Sequence, residues 1–549
     1  MFATTINKGI SMKRLLPLGL AALAALFTAG AQAAAPGITG PTFNLQAAAA
    51  NITQPDGQQL YSWGYGCIGA PTGFAPSKIA GTFCNVMQLP GPTLIVTEGQ
   101  TVTVNLTNNL PAAAGNTSML FPGFNVIATG GVTGLLTNEA APAAGTVSYS
   151  FVASTPGTHA YYSGTQGDLQ VEMGLYGAII VLPSAVPTNC TAGLPATNPG
   201  GNATAKSTWV EQDFRLAAAA YDHAATCYDR EYLFQFSEMD PSIHIAAQAQ
   251  VTALAAVCTP ISGVLPSACR LDVPTEPYHP AYFLINGRSM PDDMDPNYAP
   301  MYPNQPYNGN PHMHPGEITL LRIIGQGRWQ HPFHEHGNHV RVLARDGNLL
   351  LSPNGNLAGP LMFTTTTTPG VAMDGLFYFT GKGLNWDMYG HNLASSDPNA
   401  KLPCTPDVNG YNTGAPTAIN YFEWCQDHTK PMQAAPFGDV PSGGPVTLPD
   451  PNILRNGAWY GGSPYLGPDA TTRATFGTCT GTNSTTKCGT TGTTAPSGTV
   501  ANNPSQEAGF AFMWHSHNER EITTNNIFPG GMMMMMLVDS REFVIDEAQ

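Results

Sequence analysis

The chain has 549 residues, of which only 10% are charged, and a formal net charge of −15 at pH 7. A charge-poor, acidic surface repels phosphate backbones, so nucleic acid is excluded as an expected partner. The 59 glycines and 48 prolines are typical of many short strands joined by turns. The length allows two or three domains, each with its own core.

The N-terminus has the features of a secretory signal. Lys13 and Arg14 precede an apolar run at residues 15–27, and Ala31-Gln32-Ala33 supplies a cleavage site with small residues at its first and last positions. The run is too short to span a membrane, and no later segment approaches the required length. We therefore expect residues 1–33 to be a signal peptide. The mature protein is expected in the periplasm, at the cell surface or outside the cell, without a transmembrane segment.

The ten cysteines fall into neighbouring pairs along the sequence. In an oxidising compartment, the simplest interpretation is a set of local disulfides. The predicted pairs are Cys67/Cys84, Cys190/Cys227, Cys258/Cys269, Cys404/Cys425 and Cys479/Cys488.

Alternation of β-branched and polar residues predicts an all-β protein, as in "TLIVTEGQTVTVNLTNN". A first domain is expected at 34–183, followed by a linker at 184–226 rich in Ala, Gly, Pro and Asn. A second domain is expected at 227–384 and 507–549. The periodicity fades between them, so 385–506 is interpreted as a loop-rich insertion, or alternatively as part of a third domain.

Five segments occur in an order that resembles the multicopper oxidases, which are laccase-like proteins built from cupredoxin domains. They are "PGPTLIVTEGQTVTVNLTNNLP", "GLYGAIIV", "LINGRSMPD", "HPFHEHGNHVRVL" and "WHSHNERE" with a following "GGM". The resemblance implies tandem cupredoxin-like Greek-key β-sandwich domains, the second carrying the long insertion. It also implies copper as the cofactor and a small molecule or a metal ion as the reductant.

Two His-x-His pairs are the main candidate metal ligands. On a strand, side chains alternate, so His334 and His336 should face one side together, as should His515 and His517. Such a set of imidazoles suits Cu, Zn, Ni or Fe. The resemblance implies that these four residues serve a trinuclear copper cluster and that His331 binds a type 1 copper.

The first domain departs from the family pattern at every histidine position. "MLFPG" stands where the family has its first motif, so Leu120 and Pro122 replace two imidazoles. "AYYSG" stands at the second motif, so Tyr162 and Gly164 replace two more. Half of the histidine set implied by the resemblance is therefore missing from this chain, although a subunit interface could supply ligands if the protein forms oligomers.

The type 1 ligands are also changed. Ser516 stands at the cysteine position, and the later histidine position falls near Glu521. A hydroxyl is neither soft nor anionic at neutral pH, so it cannot replace the thiolate of a blue copper site. We expect no intense blue colour, and the four-copper arrangement is not encoded in its usual form.

Other side chains could complete a reduced metal site. Glu519 or Glu521 would shift the preference toward Mn, Fe or a solvent-exposed Cu(II). His312 and His314 have the right spacing but lie among turn residues, and His339 is a further candidate. The methionines at 532–536 are interpreted as a buried strand rather than as Cu(I) ligands.

Three functions remain open from the sequence. The first is a metal-dependent oxidoreductase acting on a small reductant or on a metal ion such as Mn(II) or Fe(II). The second is a non-catalytic metal-binding protein. The third is a structural cell-surface protein whose histidines hydrogen-bond to one another, to Glu335 and to water.

Overall fold

A computed structural model describes residues 35–76, 84–191, 214–259, 265–313, 317–379, 403–406, 410, 412, 425–426, 463–465, 509–538 and 545. Strands dominate this part of the chain, so the predicted all-β fold is confirmed. The strands form two sandwiches in tandem, as the resemblance implied. Strands and helices are numbered below in chain order.

The first sandwich consists of two sheets around one apolar core. In spatial order, the first sheet contains β11 (Gly157–Tyr162), β12 (Tyr176–Leu182), β5 (Leu94–Thr97), β1 (Gly37–Thr39) and β4 (Phe74–Ala75). The second contains β3 (Gln59–Cys67), β2 (Thr42–Thr53), β6 (Thr101–Asn108), β10 (Thr146–Val152) and β7 (Ile127–Gly130). A small ribbon pairs β8 (Val132–Thr133) with β9 (Asn138–Glu139). In β6, every second residue is buried, because its valines and leucine face the other sheet.

The second sandwich repeats this arrangement with longer sheets. The third sheet contains β14 (Tyr282–Ile285), β13 (Arg230–Met239), β16 (Ile318–Gly325), β22 (Ala372–Tyr378), β18 (Val340–Arg345) and β19 (Asn348–Leu349), with β20 (Leu361–Met362) on β18. The fourth contains β15 (His312–Met313), β25 (Met533–Val538), β24 (Gly509–Ser516), β17 (His331–Glu335) and β21 (Thr364–Thr367), with β23 (Ser463–Tyr465) on β24. Phe236, Phe333, Phe377 and Trp514 meet in the core between these sheets.

The methionine strand β25 belongs to this core. Met532, Met534 and Met536 are fully buried, and they pack in the same apolar cluster as Trp514. Unbranched thioether side chains fill irregular gaps between sheets. The interpretation of this run as a buried strand is therefore confirmed.

Helices are short in the described residues, with one exception that the sequence analysis did not predict. α1 spans Gly167–Gln170, α2 Thr188–Thr191 and α3 Pro241–Leu254, and single 3₁₀ turns lie at Ala112–Ala114 and Asp292–Met294. Asp240 caps α3 by accepting a hydrogen bond from the backbone N–H of Ser242, and proline occupies the first turn. Ile243 and Ala247 of α3 are buried in the core of the first sandwich, so the helix joins the two sandwiches.

A buried ionic network also joins the two sandwiches. The Arg322 guanidinium donates to Glu231 Oε2 at 2.8 Å and to Thr158 Oγ1 at 3.2 Å. The Thr158 hydroxyl donates to Asp374 Oδ1 at 2.6 Å, and the Tyr221 hydroxyl donates to Asp374 Oδ2. Thr158 lies on β11 of the first sandwich and Asp374 on β22 of the second, so these bonds fix one unit against the other.

Four of the five predicted disulfides are confirmed. They are Cys67–Cys84, Cys190–Cys227, Cys258–Cys269 and Cys404–Cys425. Cys479 and Cys488 lie outside the described residues, as do the predicted signal peptide and most of the predicted insertion. The predicted domain limits stay predictions. Among the described helices, none has the length and apolar character needed to cross a membrane.

Candidate metal centre

The two His-x-His pairs lie side by side on neighbouring strands. β17 and β24 are antiparallel, and His334 is directly opposite His515 in their register. Along β17 burial alternates, with His331, Phe333 and Glu335 buried and His334 half-buried. Alternation therefore puts the His334 ring on the outer face of the sheet, with Glu335 on the core face.

The rings of His334, His336, His515 and His517 form one cluster. Ring centroids lie 4.8 Å apart for His334 and His336, 5.5 Å for His334 and His515, and 5.0 Å for His334 and His517. One nitrogen from each of His334, His336 and His515 lies within 4.8 Å of the other two. Two imidazole nitrogens on one ion are at most about 4.2 Å apart, given bonds of about 2.1 Å. Small side-chain rotations would therefore bring these three nitrogens onto a common ion.

The environment keeps the central rings in the neutral form that binds metals. Burial and the neighbouring imidazoles of His336, His515 and His517 lower the pKa of His334 to about 4. Burial also lowers the pKa of His515. A neutral ring offers a lone pair without first losing a proton, so the cluster is ready for a cation at neutral pH.

Hydrogen bonds orient two of these rings. His515 Nδ1 donates to the carbonyl oxygen of Ser516 at 2.8 Å, and His334 Nδ1 lies 2.8 Å from Thr364 Oγ1. Both contacts occupy Nδ1 and leave Nε2 for a ligand bond, as is usual around metal-binding histidines. The His517 side chain is 53% exposed, which opens one side of the cluster to solvent.

Glu335 lies between His334 and His336 in the sequence but on the opposite face of the sheet. Its carboxyl accepts a hydrogen bond from the Thr365 hydroxyl at 2.7 Å, and burial raises the pKa of Glu335 to about 8. The suggested alternative, in which Glu335 bonds to the neighbouring histidines, is not the arrangement seen here.

His331 lies apart from the cluster, on the core face of β17. Its Nε2 lies 2.9 Å from Glu238 Oε2, and its Nδ1 lies 2.9 Å from Glu521 Oε2. Burial opposes the charged ring, but the two adjacent carboxylates outweigh it and raise the pKa of His331 to about 9. Glu238 was missed by the sequence analysis, although it is the one charged residue in the mostly apolar run "YLFQFSEM".

The changed type 1 positions contact each other. The Ser516 hydroxyl donates to Glu521 Oε2, and the Asn518 side-chain amide donates to Glu521 Oε1 at 2.9 Å. Glu521 is fully buried beside His331, so it does not face the cluster with which it was expected to share a metal. Glu519 is 74% exposed, with its carboxylate 3.6 Å from His517 Nδ1.

Among the described residues, the group of three converging nitrogens does not include the remaining candidate ligands. His312 is buried at the edge strand β15, where its backbone pairs with Leu537. His314 lies outside the described residues. The ring of His339 packs on Phe363 with centroids 5.1 Å apart.

The first-domain positions that lack histidine are filled by other contacts. The Leu120 backbone N–H donates to the Tyr162 carbonyl at 2.8 Å, and the two residues form an isolated bridge. A Cβ at Gly164 would meet the Leu120 side chain at 2.7 Å, so that position has no room for an imidazole without movement. Pro122 lies beside Phe121, which is buried in the core of the first sandwich.

Comparison with known proteins supports the resemblance drawn from the motifs. Residues 78–186 match the family model described as multicopper oxidase, and the predicted resemblance is confirmed by this match. No curated protein matches the sequence significantly.

Three solved structures illustrate the similarity. A blue copper oxidase from Nitrosomonas europaea is 14% identical, and the alignment covers 90% of this chain and 85% of that chain with a TM-score of 0.40. The multicopper oxidase mgLAC is 14% identical, with 91% and 85% covered and a TM-score of 0.41. A copper nitrite reductase from Nitrosomonas europaea is 17% identical, with 62% and 85% covered and a TM-score of 0.37.

Proposed function

We propose that this chain is an exported, copper-dependent oxidoreductase whose metal is held by His334, His336 and His515, with His517 as a fourth ligand. The observation that supports it is the convergence of three imidazole nitrogens within 4.8 Å of one another across two paired strands. The proposed reductant is a small molecule or a metal ion such as Mn(II) or Fe(II).

The donor set fits copper. Imidazole nitrogens rank among the preferred ligands of copper, and the lowered pKa of His334 keeps that ring available. Held by these imidazoles, copper would supply one-electron redox chemistry between the reductant and an acceptor such as dioxygen. The exposed His517 side chain leaves a path for a reductant to approach from solvent, and the acidic Glu519 beside it favours a cation over an anion.

The residues do not fit a type 1 copper. Ser516 has no thiolate, no free cysteine is found among the described residues, and both ring nitrogens of His331 face carboxylates. We therefore assign neither a separate electron-entry centre nor a four-electron reduction of oxygen to the chain.

A second candidate function, a non-catalytic metal-binding protein, is favoured by the serine at the type 1 cysteine position. With Ser516 in place of cysteine, the covalent link between a type 1 site and the flanking histidines is lost. The histidine cluster would then bind a metal ion without catalysing a redox reaction.

Metal content and oxygen uptake distinguish the candidates. The wild-type protein, His515→Ala and the matched control His339→Ala are reconstituted with Cu(II), desalted and supplied with Fe(II), Mn(II) or a phenol. We expect wild type and His339→Ala to retain copper and consume oxygen, and His515→Ala to lose both. Copper without oxygen uptake favours the binding protein, whereas no copper in the wild type favours a structural role.

A further inference from the structure

Glu238, His331 and Glu521 bring three separate segments together inside the second sandwich. Glu238 lies on β13, His331 begins β17, and Glu521 lies in the turn that follows β24. All three side chains are at most 1% exposed. The two carboxylate oxygens approach the two nitrogens of one ring, each at 2.9 Å.

The surrounding donors define the protonation of both carboxylates. Glu238 Oε1 accepts the backbone N–H groups of Arg328 and Trp329, each at 2.8 Å, and lies 3.2 Å from the Tyr278 hydroxyl. Glu521 accepts from Ser516 and Asn518. An ionised carboxylate only accepts, and the Arg328 and Trp329 N–H groups on Glu238, like the Ser516 and Asn518 groups on Glu521, are all donors, as the ionised form requires.

The ring between them must then carry two protons. A neutral imidazole has one N–H and one lone pair, and its lone pair would face a carboxylate oxygen at 2.9 Å. A doubly protonated ring donates a hydrogen bond from Nε2 to Glu238 and brings its Nδ1 proton into close ionic contact with Glu521. A metal ion could reach His331 only by displacing one of the two carboxylates.

We propose that Glu238, His331 and Glu521 form a carboxylate–imidazolium–carboxylate lock, which excludes metal from His331 and fixes the turn that begins at His517. The turn is short and internally bonded: the Asn518 N–H lies 3.2 Å from Ser516 Oγ, and the Glu521 N–H donates to the Asn518 carbonyl at 2.8 Å. The backbone N–H of His517 donates to the Pro332 carbonyl at 2.7 Å, one residue after His331. Because these hydrogen bonds connect the two residues through the turn, a fixed Glu521 side chain also fixes the position of His517.

The lock has few charged neighbours. Tyr278, which lies beside Glu238, donates its hydroxyl proton to Glu172. The Arg328 guanidinium lies 4.1 Å from the centre of the Tyr278 ring. Glu172 in turn lies close to His244, whose Nε2 is 3.7 Å from Glu172 Oε1. Two carboxylates with one imidazolium leave one negative charge, and the backbone and hydroxyl donors described above surround it.

The first test reads the ring directly in metal-free protein. Nitrogen NMR of ring-labelled histidines at pH 7 should show one imidazole with both nitrogens protonated, and His331→Gln should remove that signal. If His331→Gln does not fold, Glu521→Gln should shift the same signal and so assign it. A singly protonated His331 would overturn the proposal. This result does not depend on the proposed function.

The second test uses Zn(II) as a diamagnetic probe of the cluster, and its effect on His517 rests on the proposed function. Zn(II) should shift the ring signals of His334 and His515 and leave those of His331 unchanged. Glu521→Gln should weaken Zn(II) binding about tenfold without changing its stoichiometry, and the exposed-site control Asp272→Asn should not. A shift of the His331 signals on Zn(II) addition, or unchanged affinity in Glu521→Gln, would overturn the lock. If wild type binds no Zn(II), the proposed function fails and the NMR result alone decides the lock.

Discussion

The Trp514 indole Nε1 donates a hydrogen bond to the backbone carbonyl of His336 at 2.8 Å. Trp514 immediately precedes the pair His515 and His517, and His336 is the last histidine of the other pair, so this bond connects the two His-x-His pairs. Trp514 is fully buried, and its ring packs edge-on against Phe333 and Phe377. The core of the second sandwich thus fixes the distance between the two halves of the candidate metal centre.

Replacing Trp514 with phenylalanine should weaken both the core packing and the connection to the histidine cluster. Trp514→Phe leaves the partly buried His336 carbonyl without its donor and shortens a fully buried ring, which we expect to lower the free energy of unfolding by about 1–3 kcal/mol. Zn(II) affinity should fall as His336 gains freedom. Trp329→Phe, at a partly exposed ring, should have the smaller effect on both. Urea unfolding and calorimetric titration measure these changes, and an unchanged Zn(II) affinity in Trp514→Phe would contradict the coupling.

The His334 ring should titrate far below an ordinary histidine. Burial and three neighbouring imidazoles lower its pKa to about 4, so it stays neutral as the pH falls through 6.5. NMR titration of metal-free protein should give a midpoint near pH 4. His517→Ala removes one of the neighbouring charges and should raise that midpoint, whereas His339→Ala should not. A midpoint near 6.5 in the wild type would show that the cluster is more hydrated than this structure indicates.

Restoring the cysteine alone should not create a blue copper site. In Ser516→Cys the sulfur would face Glu521, and the His331 ring would still lie between two carboxylates. We expect Cu(II) to produce no intense blue absorption in this variant. Visible and electron paramagnetic resonance spectra compare it with the wild type under the same copper loading. A blue product from the single substitution would mean that the carboxylates give way readily to metal.

The sequence predicted the parts of the site that follow from local periodicity. His-x-His spacing put His334 on a strand face, and this held because side chains alternate along any strand. It could not predict that His334 would lie opposite His515, because that register depends on how distant segments pair.

Other features of the structure depended on tertiary contacts. Glu238 lies 93 residues from His331 in sequence, and no local pattern relates them. α3 was missed even though Asp240 and Pro241 form a helix start signal, because only Ile243, His244 and Ala247 of the helix are buried and its apolar periodicity is correspondingly weak.

The His331 lock should make stability depend on pH in the alkaline range. The ring's pKa is about 9 in the folded protein and about 6.5 when unfolded. Its contribution, about 3 kcal/mol, is therefore fully present below pH 6.5 and lost as the pH rises through 9. Urea unfolding at pH 6 and pH 9.5 should show this loss in the wild type. His331→Gln lacks the titrating ring, so its free energy of unfolding should fall by about 3 kcal/mol less than that of the wild type over the same pH change. Equal decreases in both proteins would count against a charged His331.

The interface between the sandwiches should be sensitive to Asp374. Asp374→Ala removes the acceptor for Thr158 and Tyr221 and leaves Arg322 with Glu231 as its remaining carboxylate contact. Because Arg322 stays paired with Glu231, the main cost comes from the two buried hydroxyls left without an acceptor, at about 1–3 kcal/mol each. We expect a loss of that size in urea unfolding, and Asp272→Asn at an exposed position should change stability by less than about 0.5 kcal/mol.

Since the network joins Thr158 of one sandwich to β22 of the other, limited proteolysis should also cut Asp374→Ala faster between the two units. Equal cleavage rates would mean that α3 and the apolar contacts hold the sandwiches together without this network.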